Sequence, residues 1–280
     1  MRNPNFLRIG GFTWNSNSFY HGLRLGLNRR FSRGFQVQGS YTWSHAIDES
    51  SNSGPFDGPG GSNDNLIDFP KVSRANSNMD LRHVFAVNFT YTLPGQNLQG
   101  AAGKLLGGWL VSGILNLTAG SPYNNLMTID HARTGLPQAW AQRPSLRPGG
   151  NNNPIKGDGR DPDEYFDRSG GDFVLQNAGF WGDLGRNTLV LGGTATLDLS
   201  LQKETPIAGE KVKLQFRAEF FNLLNRANWG APGRVSYASS FGRVRCTDNC
   251  APTPYQGAFG RISTTSTSAR QIQFALKLIF

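Results

Sequence analysis

The chain lacks the features that define several classes of protein. It has only two cysteines among 280 residues, too few for a disulfide-stabilised scaffold. It has no run of about 20 mostly apolar residues, which a membrane-spanning helix needs. The nearest candidate, residues 105–119, is shorter and contains Ser112 and Asn116. Charged residues make up only 17% of the chain and aromatic residues 11%. Both values argue against a disordered chain, which would have more charge and fewer aromatic residues.

Motifs of enzymes and nucleic-acid-binding proteins are also missing. The sequence contains no G-x-S-x-G, no H-E-x-x-H and no phosphate-binding glycine loop, and its four histidines are scattered. We therefore expect no enzymatic activity, no cofactor and no metal. The net charge of +9 comes from dispersed basic residues without a basic arm, so nucleic acid is not an expected partner. Residues 1–5 show no apolar signal-peptide core, and we expect the chain to be the later part of a longer protein.

Seven segments alternate apolar and polar residues with period two, which is typical of strands with two different faces. No segment has a helical period, so almost no helix is expected. The fifth segment is expected to begin near Thr188. The alternating segments are residues 23–27, 35–43, 85–93, 109–117, 197–201, 212–220 and 272–280.

Alternation also fits a β-sandwich, but three further features favour a transmembrane barrel. The predicted strands are long, and aromatic residues such as Phe35, Trp43 and Trp109 lie at their ends on the apolar side. The predicted connections alternate in length, as in outer-membrane barrels with short periplasmic turns and long extracellular loops. Residues 32–34, 94–106 and 203–210 form the short set, and residues 45–80, 120–187 and 222–269 the long set.

The predicted fold class is therefore all-β, a transmembrane antiparallel β-barrel with long extracellular loops. Bacterial single-chain barrels have even strand numbers of eight or more. An open sheet with one apolar face is an aggregation hazard. We therefore expect a partial barrel, about seven C-terminal strands of a larger one, in which residues 1–17 end a preceding extracellular loop.

A series of short motifs carries a family likeness. They are residues 41–48 (YTWSHAID), 165–167 (YFD), 185–189 (GRNTL), 197–201 (LDLSL), 217–225 (RAEFFNLLN), 259–262 (FGRI) and the final strand 269–280. In this order and spacing the chain resembles the C-terminal barrel of TonB-dependent transporters, in particular the Oar-like group with a carboxypeptidase-regulatory-like domain. No single motif is specific, because the family is recognised by the series.

The resemblance implies a 22-stranded barrel in the bacterial outer membrane whose lumen holds a plug domain. Residues 1–280 would be its C-terminal segment, without signal peptide, plug or TonB box. The implied function is active uptake of an unidentified substrate, driven by TonB, ExbB and ExbD through the missing N-terminal parts. A passive porin, a surface adhesin and a secreted glycan-binding β-sandwich are the alternatives.

Charged residues on the polar side of the predicted strands are the first site candidates. In a barrel they face a lumen filled with water or plug, where they could tune permeation or hold the plug. The alternative is that they have no specific role, because the interior of a barrel is polar in any case. Arg217 and Glu219 are two residues apart on one face, so they can interact. The predicted lumen-facing residues are Arg24, Arg30, Asp198, Lys213, Arg217, Glu219 and Lys277.

Phe280 is the second candidate. As the family resemblance implies, an aromatic residue that ends an alternating final strand is a signal for the barrel-assembly machinery. Phe280 could equally be a lipid-facing residue of the aromatic girdle. The expected partners are thus outer-membrane lipid and the assembly machinery.

Three loop features complete the candidates. Cys246 and Cys250 are close in a predicted extracellular segment, where disulfides persist, so we expect a local disulfide that stiffens the tip of this loop. A zinc site is the alternative, but further Cys or His ligands are not nearby. The acidic residues 158–167 could bind Ca²⁺ but do not match an EF-hand, which favours a solvated loop. Aromatic residues of the long loops could stack on a ligand or anchor the loops against each other; they are Phe56, Tyr123, Trp140, Trp181, Trp229, Tyr237 and Tyr255.

Overall fold

The chain folds into one large antiparallel sheet with an ordered set of connections at one end. A computed structural model describes residues 16–51, 74–95, 100–129, 131–133, 142–208, 212–238, 253–254 and 258–280. In chain order their elements are β1 (Ser18–Ser32), β2 (Phe35–Asp48), β3 (Ala75–Asn76), β4 (His83–Thr92), α1 (Gly100–Leu106), β5 (Trp109–Thr118), β6 (Pro122–Tyr123), β7 (Leu126–Met127), β8 (Ser145–Leu146), β9 (Phe173–Val174), β10 (Leu189–Val190), β11 (Thr194–Ala208), β12 (Val212–Phe221), β13 (Val235–Ala238), β14 (Thr253–Pro254) and β15 (Gln271–Ile279).

The main sheet is an up-and-down meander. Its long strands lie in the order β1-β2-β4-β5-β11-β12-β15, and each is antiparallel to the next. The short β3 adds to the end of β2. The predicted set of antiparallel strands is confirmed for this part of the chain, and β1 and β15 form the edges of the sheet within the described residues.

The connections alternate in length, as the sequence predicts. Residues 33–34, 93–108 and 209–211 join strands at one end of the sheet, called here the turn end. Residues 49–82, 119–193 and 222–270 join them at the other end, called here the loop end. At the turn end, Arg33 and Gly34 have φ angles of 52° and 78°. Two successive positive φ angles match the twist of a two-residue hairpin, which explains a glycine here.

The strand register assigns every second side chain to one of two faces. The apolar face contains a row that crosses six strands, Phe35, Tyr91, Val111, Leu201, Ala218 and Phe274. The adjacent row belongs to the polar face and contains Gln36, Thr90, Ser112, Ser200, Glu219 and Gln273. Because these rows alternate across the whole sheet, the period-two pattern of each strand combines into two continuous surfaces of different polarity.

The fifth long strand differs from the prediction. The sequence placed its start near Thr188 and a turn over residues 203–210, and both are wrong. Leu189–Val190 forms the separate β10, which pairs with β6, and β11 begins at Thr194. Lys203 pairs with Phe216 and Thr205 with Leu214, so the ladder continues to Ala208. The partner strand supplies apolar neighbours to these polar residues, which the alternation within β11 alone could not reveal.

One short helix interrupts the otherwise all-β structure of the described residues. α1 (Gly100–Leu106) lies in the connection between β4 and β5 at the turn end. Its sequence GAAGKLL contains good helix formers, and seven residues are too few to show the helical period used in sequence analysis. The expectation of almost no helix is therefore confirmed apart from this turn-end element.

Candidate functional site

The three long connections meet at the loop end and form a single unit, called here the loop assembly (described residues of 49–82, 119–193 and 222–270). β7 and β13 pair in parallel and so join the second and third connections. The amide nitrogen of Tyr165 donates to the carbonyl oxygen of Gly260 at 2.8 Å across the same two connections. The Asn187 side chain donates to the carbonyl oxygen of Asn76 at 2.8 Å and so ties in the first.

An aromatic core holds the loop assembly together. The ring centroids of Phe166 and Phe259 lie 5.7 Å apart, those of Phe173 and Phe259 lie 5.9 Å apart, and Tyr165 packs edge-on against Phe166. These rings are buried, with Leu184, Leu189 and Ile262 around them. The largest buried cluster of the described residues therefore lies in the connections and not in the sheet, which the polar composition of the loops did not predict.

Gly260 has a conformation and a position that no larger residue fits. Its φ angle is +71°, and a Cβ atom there would lie 3.0 Å from the backbone of Phe166. The backbone can approach the aromatic core this closely only without a side chain. The motif residues 165–167 and 259–262 are thus the two halves of one packing arrangement.

A buried ion pair fastens the loop assembly to the main sheet. The guanidinium of Arg186 is fully buried and forms an ion pair with Asp48, the last residue of β2. It also donates to the carbonyl oxygen of Asp48 and to the Ser51 hydroxyl, both at 2.7 Å. A buried charge is tolerated when it is paired and hydrogen-bonded in this way.

Asp80 fixes the first connection where it returns to the sheet. Its carboxylate is 1% exposed and accepts a hydrogen bond from the amide nitrogen of Ala46 at 2.7 Å and one from Nε of Arg82 at 2.7 Å. Nδ1 of His45 lies 3.4 Å from the same carboxylate. Asp80 therefore links β2 to the residues that lead into β4.

Two buried asparagines fix the third connection. Asn222 has a φ angle of 48°, and its backbone nitrogen donates to the Asp198 carboxylate at 2.8 Å. Asn228 bonds both backbone groups of Ala195, with its Oδ1 at 2.8 Å from the nitrogen and its Nδ2 at 3.0 Å from the oxygen. Asparagine tolerates positive φ angles and offers both a donor and an acceptor. The loop therefore continues the hydrogen bonding of β11 beyond the ladder.

Burial also shifts the ionisation of two tyrosines in the loop assembly. Loss of hydration raises the pKa of Tyr123, and Arg234, whose guanidinium lies over its ring, offsets part of this increase. Burial likewise raises the pKa of Tyr165. Each hydroxyl donates to a carbonyl oxygen, Tyr123 to Pro232 and Tyr165 to Val190. The neutral phenol is the form that these sites accommodate.

The acidic residues 158–167 pair with separate partners. Asp158 pairs with Arg160 at 3.1 Å, and Asp163 with Arg261 at 3.0 Å. The Ser169 hydroxyl and amide both donate to Asp167 and lower the pKa of its carboxyl group. Among the described residues, no group of three or more His, Cys, Asp and Glu side chains could hold a metal ion.

Most of the predicted lumen-facing residues share the polar face of the sheet. The register places Arg24, Asp198, Lys213, Arg217, Glu219 and Lys277 there. The register shifts between Arg29 and Ser32, so Arg30 lies in the irregular part of β1 and the pairing assigns it to neither face. The guanidinium of Arg217 donates to the Glu219 carboxylate at 2.7 Å, which is the interaction expected from their spacing. That this face lines a lumen stays a prediction.

The other candidates have different outcomes. Phe280 follows the last residue of β15 and is 90% exposed, and its role in assembly stays a prediction. Cys246 and Cys250 lie outside the described residues, as do Phe56, Trp140 and Tyr255.

The described loop aromatics mainly anchor the loops. The Tyr237 hydroxyl donates to the carbonyl oxygen of Phe173 at 2.9 Å, and Trp229 packs against the aromatic core. Phe180 and Trp181 are exposed and remain accessible to a ligand.

Sequence reasoning missed the ion pair of Arg186 with Asp48 because 138 residues separate the partners. Both belong to motifs that carry the family likeness, so the motif series was the available signal. It also missed a cluster of α1, Trp109 and Lys203 at the turn end, where the indole nitrogen donates to the carbonyl oxygen of Leu105 at 2.9 Å. The sequence had placed Lys203 in a turn, and no motif marked it.

Comparisons with known proteins agree with this architecture. A family model described as outer membrane beta barrel domain matches residues 1–273. None of the curated proteins matches the chain. The described residues contain no helix with the length and apolar character needed to cross a membrane.

Proposed function

Because the chain belongs to the outer membrane beta barrel domain family, we propose that it forms part of the wall of a TonB-dependent transporter. Membership of this family places the chain in the bacterial outer membrane. The proposed activity is uptake of a substrate across that membrane, and it assigns no catalytic step to this chain. The single observation that carries the proposal is the sheet with one apolar and one polar face, whose loop end carries the loop assembly.

The two faces suit a wall between lipid and water. Lipid-exposed backbone must be fully hydrogen-bonded, which the ladders from β1 to β15 provide within the sheet. The apolar face exposes large side chains such as Leu25, Phe274 and Leu276, which lipid acyl chains can cover. The polar face would then line the lumen, where charged residues such as Arg217 and Glu219 contact water or a plug.

The strand directions support a larger barrel. The seven long strands alternate in direction, so β1 and β15 run the same way. Direct pairing of these edges would be parallel, and a second copy in the same membrane orientation would also offer only parallel edges. We therefore propose that an odd number of strands from outside the described residues completes the barrel. The 22-stranded barrel implied by the family resemblance would add fifteen, which is odd.

The proposed partners follow from this assignment. Outer-membrane lipid would contact the apolar face, and the barrel-assembly machinery would recognise the final strand with Phe280. TonB, ExbB and ExbD would act through the plug and TonB box that the family resemblance implies elsewhere in the full protein. The loop assembly, which lies at the end opposite the short turns, would meet the substrate first.

Conductance and genetic dependence on TonB together test this proposal. In the first experiment, the full-length protein is purified from the outer membrane and inserted into planar lipid bilayers, and its conductance is measured. In the second, its gene is deleted in TonB-positive and TonB-negative strains, and growth is compared. A TonB-dependent transporter gives no steady conductance, and its deletion causes a growth defect only in the TonB-positive strain. A steady open channel, or a defect of equal size in both strains, would instead support the passive porin and contradict the proposal.

A further inference from the structure

The turn end carries an apolar helix that the strand pattern does not explain. α1 ends with two adjacent leucines, and both project away from the protein, with Leu105 70% and Leu106 58% exposed. Gly107 and Gly108 follow directly, and Gly108 has a φ angle of +75°, which turns the chain back into β5. Two neighbouring exposed leucines form an apolar patch, and such patches mark sites of contact with a membrane or another protein.

Hydrogen bonds hold the C-terminal end of α1 in place. Nε1 of Trp109 donates to the carbonyl oxygen of Leu105 at 2.9 Å, and Nζ of Lys203 donates to the same oxygen at 3.1 Å and to that of Gly107 at 2.6 Å. The last carbonyl groups of a helix have no partner within the helix and favour a nearby cation. Trp109 supplies a hydrogen-bond donor to these carbonyl groups, and Lys203 supplies both a donor and the cation.

The strand register identifies the face to which α1 is attached. Trp109 pairs with Lys203, Lys203 with Phe216, and Phe216 with Leu276 in one row across four strands. This row belongs to the apolar face, because it lies two residues along each strand from the row that contains Phe274. Since both side chains that bond the end of α1 come from this row, the C-terminal end of α1 lies on the side of the apolar face.

The surroundings have the composition of a membrane interface. Tryptophan and lysine combine an apolar body with a polar tip, which suits the boundary between acyl chains and headgroups. The Lys203 amine lies 5.1 Å from the centre of the Trp109 ring. Ring contacts continue from Trp109 to Phe216 at 6.4 Å and on to Phe274 at 6.3 Å. The apolar surface beside α1 is therefore continuous with the apolar face.

We propose that α1 is a membrane anchor whose Leu105 and Leu106 insert into the lipid leaflet at the turn end. The occupant is phospholipid, because the leucines extend a surface that acyl chains already cover in the proposed function. The inference rests on that part of the proposed function. Trp109 and Lys203 act as positioning residues that hold the end of the helix at the level of the headgroups.

Fluorescence quenching by lipid tests the anchor. In a Cys246→Ser and Cys250→Ser background, single cysteines replace Leu105, Leu276 on the apolar face, or Ser112 on the polar face. Each labelled protein is placed in phosphatidylethanolamine and phosphatidylglycerol vesicles that contain spin-labelled phospholipid. Because Leu105 is exposed, its replacement leaves the packing of the protein intact. We expect the label at position 105 to be quenched at least about twofold more than that at position 112, and most by spin labels near the headgroups.

The matched positions separate the failure of the anchor from the failure of the proposed function. A label at position 105 that is quenched no more than position 112, while position 276 is quenched, would overturn the anchor alone. An unquenched label at position 276 would contradict the lipid-facing assignment and both proposals with it. Adding Trp109→Phe removes one hydrogen bond to α1. It should reduce the quenching at position 105 and leave position 276 unchanged, and an equal loss at both positions would indicate misfolding of the sheet.

Discussion

Arg186 and Asp48 form a buried ion pair although 138 residues separate them in the chain. Asp48 ends a strand of the main sheet, and Arg186 belongs to the longest connection. The pair therefore joins the loop assembly to the wall that carries it. The hydrogen bond from the side chain of the neighbouring Asn187 to the carbonyl oxygen of Asn76 reinforces the same junction.

Removing one member of this pair should open the loop assembly. In Arg186→Leu the Asp48 carboxylate loses its buried counter-charge, which typically costs about 3–5 kcal/mol. We expect faster hydrogen exchange of residues 185–190 and faster proteolysis of the long connection, with the main sheet retained. The matched control is Arg261→Gln, which removes an exposed ion pair with Asp163 and should cost no more than about 1 kcal/mol. Equal protection in the two variants would contradict a structural role for the buried pair.

The pairing of Gly113 with Phe89 predicts a local steric limit in the sheet. A Cβ atom on Gly113 would lie 2.5 Å from the Phe89 ring, which covers the glycine on the neighbouring strand. Gly113→Ala should therefore force the ring aside and destabilise the protein by about 1–3 kcal/mol. This loss should appear as a lower midpoint temperature of heat-induced unfolding, followed by the mobility of the protein on gels. Gly26→Ala is the control, because a Cβ atom there meets nothing within 4 Å. Adding Phe89→Leu should recover part of the loss, and no recovery would rule out the steric cause.

Alkaline pH should loosen the loop assembly. Burial raises the pKa of Tyr123 and Tyr165 above the ordinary value of 10.0, so folding favours the neutral phenols. This contribution to stability is fully present below pH 10 and is lost as the pH rises through the higher pKa values of the folded state. Each ionised oxygen would then face a carbonyl oxygen. Tyrosinate absorbance should appear at a higher pH for these two residues than for exposed tyrosines. Proteolysis of the loop assembly should increase over the same pH range. Proteolysis that rises well below pH 10 would point to another group.

Loss of Phe280 should impair assembly more than loss of an exposed aromatic residue in a loop. Phe280 follows the final strand, whereas Phe180 is exposed within the loop assembly. Deletion of Phe280 from the full-length protein should lower its yield in the outer membrane, measured by heat-modifiable mobility on gels, while Phe180→Ala should not. Equal membrane yields would mean that Phe280 is an ordinary exposed residue and carries no assembly signal.

The polar face could be predicted from the sequence to a large extent. Arg24, Asp198 and Lys277 lie on one face because a strand turns its side chains by half a revolution per residue, a local property that the alternation records. The irregular register beside Arg30 escaped this reasoning because a register shift changes which face a residue occupies without changing the composition of the strand. Lys203 escaped it because its apolar partner lies on another strand.

By itself, the sequence determined the antiparallel strands, their two faces and the alternation of short and long connections. These follow from backbone geometry and from the residues within each segment. Only the tertiary structure decided that the polar connections share an aromatic core, that Arg186 reaches Asp48, and that α1 lies on the side of the apolar face. Each of these depends on contacts between distant segments, where close packing selects one partner among many of similar composition.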